Sequence, residues 1–184
     1  MIDRSGQAPL GTPWSHELQK LDTQVLAAII RQRRRALDPV AVFFSVLGEG
    51  GILWAVVALV LDSPDNAASR RRAAGVSLAT AGAAYVTSAL VARLIGRARP
   101  CHRGTPALST CPSGPGMPSD QSASAFSGAI LLGFLQPSAR PLLVTLAGAV
   151  SLSRVYIGVH YPSDVAVGAI YGLGAGVAVA KVLL

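Results

Sequence analysis

An arginine, a histidine and an aspartate stand close together in the segment from Ser153 to Asp164. His160 and Asp164 are four residues apart, close enough for the carboxylate to hydrogen-bond one imidazole nitrogen and to leave the other free to attack. Pro162 predicts that a helix begins between them, and the N-terminus of a helix favours a bound anion. Together with the guanidinium of Arg154, the segment predicts a phosphate site in which His160 is the nucleophile.

Two further polar clusters are separated from this segment by apolar stretches, whose alternation in a bundle brings all three to one side. They are Arg93, Arg97 and Arg99, and the run Pro118-Ser119-Asp120-Gln121. Arginine forks bind phosphate oxygens in pairs and neutralise the charge that develops during phosphoryl transfer. Taken singly, an arginine at a helix end is commonly a membrane anchor, and a loop histidine is usually polar surface. The coincidence of three clusters favours a phosphoryl-transfer site.

The elements that must position these clusters are membrane helices. The chain is 51% hydrophobic and 14% charged, an unusual balance for a soluble domain. We predict an all-α integral membrane helix bundle, with a flexible N-terminus over residues 1–14 and a single membrane domain over 15–184. About five transmembrane helices are expected, and their segments are 40–61, 73–92, 122–136, 141–153 and 164–184. The net charge of +7 comes without an aromatic-interleaved basic run, so no nucleic-acid partner is expected.

An amphipathic helix is predicted before the first span. Ser15 suits its N-cap, and its apolar face consists of Leu18, Leu21, Val25 and Ile29. The helix ends in the basic run 31–35, which suits a helix lying on the membrane surface. A helix that caps the bundle is an equally good interpretation and is compatible with the first.

Two smaller features of the sequence concern structure more than chemistry. Glu49 lies in the glycine-rich interruption 48–51 of the first span, and a structural hydrogen-bonding role is preferred for it over a catalytic one. Cys101 and Cys111 bracket a polar loop, and they predict a disulfide if that loop faces an oxidising compartment. With so few ligands, no zinc site is expected.

The three polar blocks resemble the signature of type 2 phosphatidic acid phosphatases (PAP2), the lipid phosphate phosphatases that share their site with vanadium haloperoxidases. The family pattern is Lys-x6-Arg-Pro, then Pro-Ser-Gly-His, then Ser-Arg-x5-His-x3-Asp. The third block matches in full from Ser153 to Asp164, the first matches at Arg99-Pro100, and the second matches at Pro118-Ser119. The resemblance covers nearly everything after residue 36.

The resemblance implies a role for each matched residue. His160 would form a phosphohistidine, oriented by Asp164, without a metal or other cofactor. Phosphate oxygens would be held by Arg99, Arg154 and the Ser119 hydroxyl. Further substrate contacts are expected from neighbouring positions in the blocks, namely Arg93, Arg97, Pro118, the backbone amide of Asp120, and Ser153.

This sequence departs from the family pattern at two positions. The family lysine falls at Ala92, with Arg93 one place along, which is a turn of about 100° on a helix. Gln121 occupies the position of a second histidine that protonates the leaving group, and loss of a general acid costs about 10²–10⁴-fold in rate. Three interpretations of Gln121 are open. The natural leaving group hardly needs a proton, as with a phosphate, or another acid, His102 or Asp120, supplies it. In the third, the glutamine is a disabling substitution.

The predicted function is therefore that of a membrane phosphatase. It would remove a terminal phosphate from a lipid-linked substrate, either a polyprenyl phosphate or diphosphate or a polyprenylphosphoryl sugar phosphate. Two alternatives are a catalytically impaired protein that binds lipid phosphate, and a phosphotransferase to an alcohol acceptor.

Two signals disagree on which face of the cell (inner) membrane carries the site. Most basic residues lie in the N-terminal segment and the site loops, which by the positive-inside tendency predicts the cytoplasmic face. The cysteine pair and the family resemblance favour the extracytoplasmic face, which we prefer.

Overall fold

The computed structural model describes residues 13–61 and 67–183, and these ranges contain seven α-helices and no β-strand. The helices are α1 Pro13–Arg31, α2 Asp38–Leu47, α3 Ile52–Leu61, α4 Ala67–Ile95, α5 Asp120–Leu135, α6 Arg140–Tyr156 and α7 Pro162–Leu183. The all-α prediction therefore holds for the described part of the chain. Residues 1–12 of the predicted flexible N-terminus lie outside it.

Helix α5 is the centre of the bundle and packs against α4, α6 and α7. Most of its side chains are small and buried. Helix α7 approaches it through a stripe of glycines, Gly168, Gly172 and Gly176, whose hydrogens face backbone carbonyls of α5 and its N-cap. A Cβ at any of the three would collide with those carbonyls, so the close packing of the two helices depends on the glycines.

The predicted first span is a bent pair of helices. Helices α2 and α3 meet at an angle of 55° across the short turn Glu49–Gly51. Gly50 and Gly51 both adopt left-handed backbone angles, with φ of 64° and 77°, a conformation that glycine adopts without steric cost. Beyond the bend, Trp54 is 1% exposed and lies against Gly128 of α5.

Two of the described helices are long and apolar enough to cross a membrane: α4 from Arg71 onward, and α7. The bent pair of α2 and α3 forms a third candidate if it is counted as one span. Helices α5 and α6 contain 16 and 17 residues. Many large hydrophobic side chains on the outside of the bundle are exposed, as expected for a surface that faces lipid.

Helix α1 differs from its prediction in two respects. It begins at Pro13, so Ser15 lies in its first turn and is not the N-cap. Ile29 packs beside the buried Leu26 against α6 and α7, whereas Leu21 and Val25 are 57% and 38% exposed. The helix has two apolar stripes, one against the bundle and one facing outward, because its sequence is apolar on more than one side.

The stretch 62–72, between the predicted spans 40–61 and 73–92, is partly helical. Helix α4 begins at Ala67, so the last six residues of that stretch are helical, and residues 62–66 lie outside the described ranges. Small residues and arginines are good helix formers, and they extend α4 beyond its apolar part. At its other end α4 continues to Ile95, which places Arg93 in the last turn.

Candidate active site

His160 lies in the turn between α6 and α7 and is fully buried. Its backbone N–H donates to the carbonyl of Arg154 at 3.3 Å, as that of Val159 does at 3.2 Å. Gly158 allows this turn, since its φ of 86° is left-handed. The chain therefore folds back on the end of α6, which brings His160 close to Arg154 of that helix.

Asp164 lies behind the imidazole in the first turn of α7. Its Oδ2 is 3.5 Å from Nδ1 of His160, longer than a usual hydrogen bond, and accepts the backbone N–H of Tyr161 at 2.9 Å. Its Oδ1 accepts Nη1 of Arg97 at 2.7 Å. The carboxylate is thus held from two sides with one oxygen facing the histidine, but the hydrogen bond that the four-residue spacing predicts is not formed, since Nδ1 of His160 has no hydrogen-bond partner among the described residues.

Arg99 contacts the other face of the histidine, Nη1 against Nε2. The sequence predicts a free nitrogen on the imidazole. In the structure the guanidinium of Arg99 contacts that nitrogen, because both side chains are buried at the same place. Arg99 is 4% exposed, and its Nε donates to the carbonyl of Gly114 at 3.2 Å. Burial lowers the pKa of His160 below its ordinary value, and Arg99 and Arg154 lower it further against the opposing effect of Asp164.

Arg154 is a second buried guanidinium of the site, 5% exposed. Its Nη1 donates to the hydroxyl of Ser45 on α2, while its Nε has no hydrogen-bond partner among the described residues. The carboxylates of Asp120 and Glu49 and the positive charge of Arg99 interact with it electrostatically. A buried arginine with an unused donor is suited to hold an anion.

The third cluster reaches the same place through the start of α5. Ser119 is the N-cap of this helix and accepts the Ser122 hydroxyl at 3.1 Å. Its own backbone N–H donates to the Asp164 carbonyl at 2.9 Å, which fixes α5 to α7 at the site. Gln121 is 2% exposed, and its Oε1 has no partner among the described residues.

Arg97, expected to contact substrate, is instead committed to neighbouring protein groups. Its Nη2 donates to Asp22 of α1 at 2.6 Å, and its Nη1 is shared between Asp164 and the Ser163 hydroxyl. Its Nε and Nη2 also point to Gln19. With two carboxylates beside it, this guanidinium is drawn to them and away from the imidazole.

The other sequence-predicted contacts lie at varied distances from this centre. Ser153 donates its hydroxyl to the Val150 carbonyl at 2.6 Å, within its own helix. Pro118 is buried next to the N-cap of α5, and Arg93 is exposed at the end of α4. His102 is exposed in the turn Cys101–Arg103.

Cys101 and Cys111 form a disulfide, with Cα atoms 5.9 Å apart. It closes the segment 101–111, which ends three residues before Gly114, the acceptor of Arg99. His102 stands beside the two sulfurs. Because both sulfurs are bonded to each other, they are not thiolate ligands.

A sequence profile of the PAP2 superfamily matches residues 72–183, more than half of the chain. The chain belongs to the PAP2 superfamily. Decaprenylphosphoryl-5-phosphoribose phosphatase of Mycobacterium tuberculosis is 37% identical to this PAP2 chain over 138 residues, 75% of this chain and 76% of that protein. The protein of the same name from Mycolicibacterium smegmatis is 33% identical over 85 residues, 46% of each chain.

Two solved structures share the PAP2 fold. A transmembrane PAP2-type phosphatidylglycerolphosphate phosphatase from Bacillus subtilis has a TM-score of 0.74 at 21% identity, covering 94% of this chain and 88% of its own. LpxE from Aquifex aeolicus has a TM-score of 0.71 at 22% identity, covering 88% of this chain and 95% of its own. At these identities the likeness concerns the fold. Together with the family and its relatives, it makes this chain a membrane protein and a phosphatase.

Several residues of this PAP2 site were not foreseen from the sequence. Asp22 and Gln19 of α1, Ser163 of α7 and Ser45 of α2 all hold a side chain of the site. A signal existed for Asp22, since it stands four residues before Leu26 on the bundle-facing side of an amphipathic helix. Ser45 interrupts an apolar segment in a similar way.

Proposed function

We propose that this protein removes a terminal phosphate from a polyprenyl-linked lipid through a phosphohistidine formed on His160. The observation that carries the proposal is the contact of Arg99 with Nε2 of a buried histidine whose other nitrogen faces Asp164. A phosphoryl group that enters at this point meets a guanidinium and a nucleophile together. Burial also lowers the pKa of His160, which keeps the imidazole neutral and able to attack.

The reaction then takes two displacements. In the first, Nε2 of His160 bonds to phosphorus and the bond from phosphorus to the leaving oxygen breaks, so that the lipid product departs with the bonding electrons and takes up a proton. In the second, a water oxygen bonds to phosphorus and the phosphorus–nitrogen bond breaks. A proton is released to solvent, and free phosphate and His160 are the products.

Three groups hold the non-bridging phosphate oxygens in both steps. Arg99 and Arg154 supply buried positive charge, and the Ser119 hydroxyl, which accepts hydrogen bonds from Ser122, has its own hydrogen to donate. Backbone N–H groups at the start of α5 add the positive end of a helix dipole. Asp164 holds the imidazole and stabilises the positive charge that develops on it.

The lipid class is proposed from the relatives. The Mycobacterium tuberculosis protein is named for a decaprenylphosphoryl-5-phosphoribose substrate, and a polyprenylphosphoryl sugar phosphate is among the substrates expected from this sequence. Its leaving oxygen is an alkoxide and requires a proton, which Gln121 cannot give. Of the two acids considered from the sequence, Asp120 stands next to Ser119 at the start of α5, whereas His102 is exposed beside the disulfide, so we assign the proton delivery to Asp120.

The bilayer arrangement that we propose has five spans: the bent pair α2–α3, α4, α5, α6 and α7. At a rise of about 1.5 Å per residue, α5 and α6 are roughly 24–26 Å long, somewhat less than a hydrocarbon core of about 30 Å. Helix α5 lies inside the bundle, so its shortness exposes little backbone to lipid. The polyprenyl tail would lie against the exposed apolar side chains of the outer helices.

The test is a phosphate-release assay on the purified full-length protein with three substrates: a polyprenylphosphoryl sugar phosphate, a polyprenyl monophosphate and a polyprenyl diphosphate. Saturable release that disappears in His160→Ala, with a phosphohistidine trapped by alkaline quenching, is the expected result. Release that persists in His160→Ala contradicts the proposed nucleophile. Vanadate binding without turnover, even in Gln121→His, would identify a catalytically impaired binding protein, and phosphate found on an added alcohol would identify a transferase.

We also propose that the site faces the extracytoplasmic side of the cell membrane, as the disulfide in its loop favours. Ser109 is exposed in that loop and offers a labelling position. In a Cys101→Ala/Cys111→Ala background, Ser109→Cys is expected to react with an impermeant maleimide on intact cells. Labelling only after lysis would place the site in the cytoplasm.

A further inference from the structure

A buried carboxylate on helix α1 has no counterpart in the catalytic blocks. Asp22 of α1 is 3% exposed, while Leu21 beside it is 57% exposed. Its Oδ1 accepts the backbone N–H of Ser163 at 3.0 Å, and its Oδ2 accepts the Ser163 hydroxyl and Nη2 of Arg97. Burying a carboxylate is costly unless it is paired, so its contacts point to a role beyond surface solubility.

Arg97 links this carboxylate to the catalytic pair. It lies 2.6 Å from Asp22 on one side and 2.7 Å from Asp164 on the other. Its guanidinium also stacks over the Tyr161 ring, 4.6 Å from the centroid. Arg97 is not one of the residues that the family pattern specifies in the first block, which are Arg99 and Pro100. The path from α1 to the histidine is therefore Asp22, Arg97, Asp164 and His160.

We propose that Asp22 is a positioning residue of the phosphatase site, which acts through Arg97 on the Asp164–His160 pair. The N-terminal helix is then a working part of the active site. The inference rests on the proposed role of His160. It adds that α1, through Asp22 and Arg97, sets how much negative charge Asp164 presents to the imidazole.

Arg97 shares its positive charge between the carboxylates of Asp22 and Asp164. With both carboxylates present, Arg97 neutralises only part of the negative charge at Asp164, and the remainder supports the basicity of the imidazole. When the Asp22 charge is removed, Arg97 pairs with Asp164 alone and neutralises more of its negative charge, so the histidine becomes less basic. Removal of the Arg97 charge leaves two carboxylates behind the imidazole, so the histidine becomes more basic.

Other charges act on the histidine and remain constant in such a comparison. Arg99 from the α4–α5 loop and Arg154 from α6 oppose its protonation. Asp120 of α5 acts on both arginines, and Glu49 before α3 acts on Arg154. None of these groups is altered by a change at Asp22, so a shift in the histidine titration reports the path through Arg97.

The experiment is an NMR titration of the full-length protein labelled with ¹⁵N-histidine. The chain has 3 histidines, and the His160 signal is identified by its loss in His160→Ala. Asp22→Asn keeps the shape and an acceptor for Ser163, and it is expected to lower the His160 pKa by about one unit. Arg97→Gln is expected to raise it. Glu17→Gln, an equal charge change at an exposed position of the same helix, is the matched control and should leave it unchanged.

A second variant covers the case in which Asp22→Asn does not fold. Gln19 accepts two N–H groups of Arg97, and Gln19→Glu adds a negative charge at that guanidinium without removing an acceptor. It is expected to raise the His160 pKa. A His160 pKa that falls in Asp22→Asn and rises in Gln19→Glu supports the proposal. An unchanged titration in Asp22→Asn, or in Gln19→Glu where the former is unfolded, overturns it.

Kinetics provide a readout that a merely structural role would not reproduce. Asp22→Asn is expected to lower kcat about three- to tenfold with KM within about twofold, and Asp22→Glu, which restores the charge, to recover most of the loss. Equal losses in Asp22→Asn and Asp22→Glu contradict the charge argument. Because the NMR titration needs no substrate, absence of phosphate release in the wild type would overturn the proposed function and leave this inference standing on its own result.

Discussion

Nη1 of Arg99 and Nε2 of His160 are in contact, and both residues are buried. The two residues come from different blocks of the sequence, 61 positions apart, and meet because α5 joins the loop after α4 to the start of α7. A nucleophile and a guanidinium at one point form the minimal unit for attack on a phosphoryl group. The other parts of the site, Asp164, Arg154 and Ser119, surround that unit.

Replacement of Arg99 by lysine is expected to lower kcat/KM for phosphate release by about 10²-fold. Lysine keeps the charge but loses the planar fork that binds two phosphate oxygens, and it loses the Nε donor to the Gly114 carbonyl. The measurement is steady-state phosphate release under matched detergent conditions. Arg103→Lys, at an exposed position four residues along, should retain the wild-type rate. A similar loss in both variants would point to a general effect of basic residues in the loop.

The acid limb of the pH–rate profile is expected to lie below about pH 6.5, the ordinary pKa of histidine. Burial, with help from Arg99 and Arg154, lowers the pKa of His160. Since the neutral imidazole is the proposed nucleophile, we expect kcat/KM to stay high as pH falls to that lowered value and to decline only below it. Arg154→Gln removes one of the opposing charges and should move the limb upward as well as lowering the rate. A wild-type limb above pH 7 contradicts the assignment of that limb to His160.

Much of this arrangement follows from sequence, and the reasons differ between elements. The four-residue spacing of His160 and Asp164 predicts that the two lie together, because Pro162 starts a helix between them and so defines the turn that joins them. The glycine-rich interruption 48–51 marks where the first span breaks, whereas the bend itself depends on left-handed backbone angles at Gly50 and Gly51, which only glycine adopts readily.

The contribution of α1 was not predictable in the same way. Its Asp22 lies 142 positions before Asp164 in the chain, and no local pattern links the two. The contact depends on how α1 docks on α6 and α7 through Leu26, which is a property of tertiary packing. The sequence predicts Arg97 as a phosphate contact, because no pattern in it places Asp22 beside this guanidinium.

Loss of the disulfide is expected to destabilise the protein by about 2–4 kcal/mol. Cys101 and Cys111 are 10 positions apart, so the bond restricts a short loop in the unfolded chain. The measurement is thermal unfolding with and without dithiothreitol. The double variant Cys101→Ser/Cys111→Ser should match the reduced wild type and show no response to the reductant. A wild type that is also insensitive to reduction would contradict a stabilising role for the bond.

Replacement of Gln121 by histidine is expected to separate substrates according to their leaving groups. For a substrate whose leaving oxygen is an alkoxide, a second general acid beside Asp120 should raise kcat/KM, by less than the about 10²-fold that an acid contributes where none is present. For a polyprenyl diphosphate, whose leaving group is a phosphate, little gain is expected because that group departs without a proton. Gln121 is buried next to the N-cap of α5, so an imidazole there is confined to the site.

The companion variant is Asp120→Asn in the wild-type background and in Gln121→His. If Asp120 delivers the proton, its loss should be severe with glutamine at position 121 and mild once histidine is present. The measurement is single-turnover phosphate release from the sugar phosphate and from the diphosphate. Equal losses in the two backgrounds would contradict proton delivery by Asp120 and leave it the role of a charge between Arg99 and Arg154. Equal large gains for both substrates in Gln121→His would contradict the dependence on leaving group.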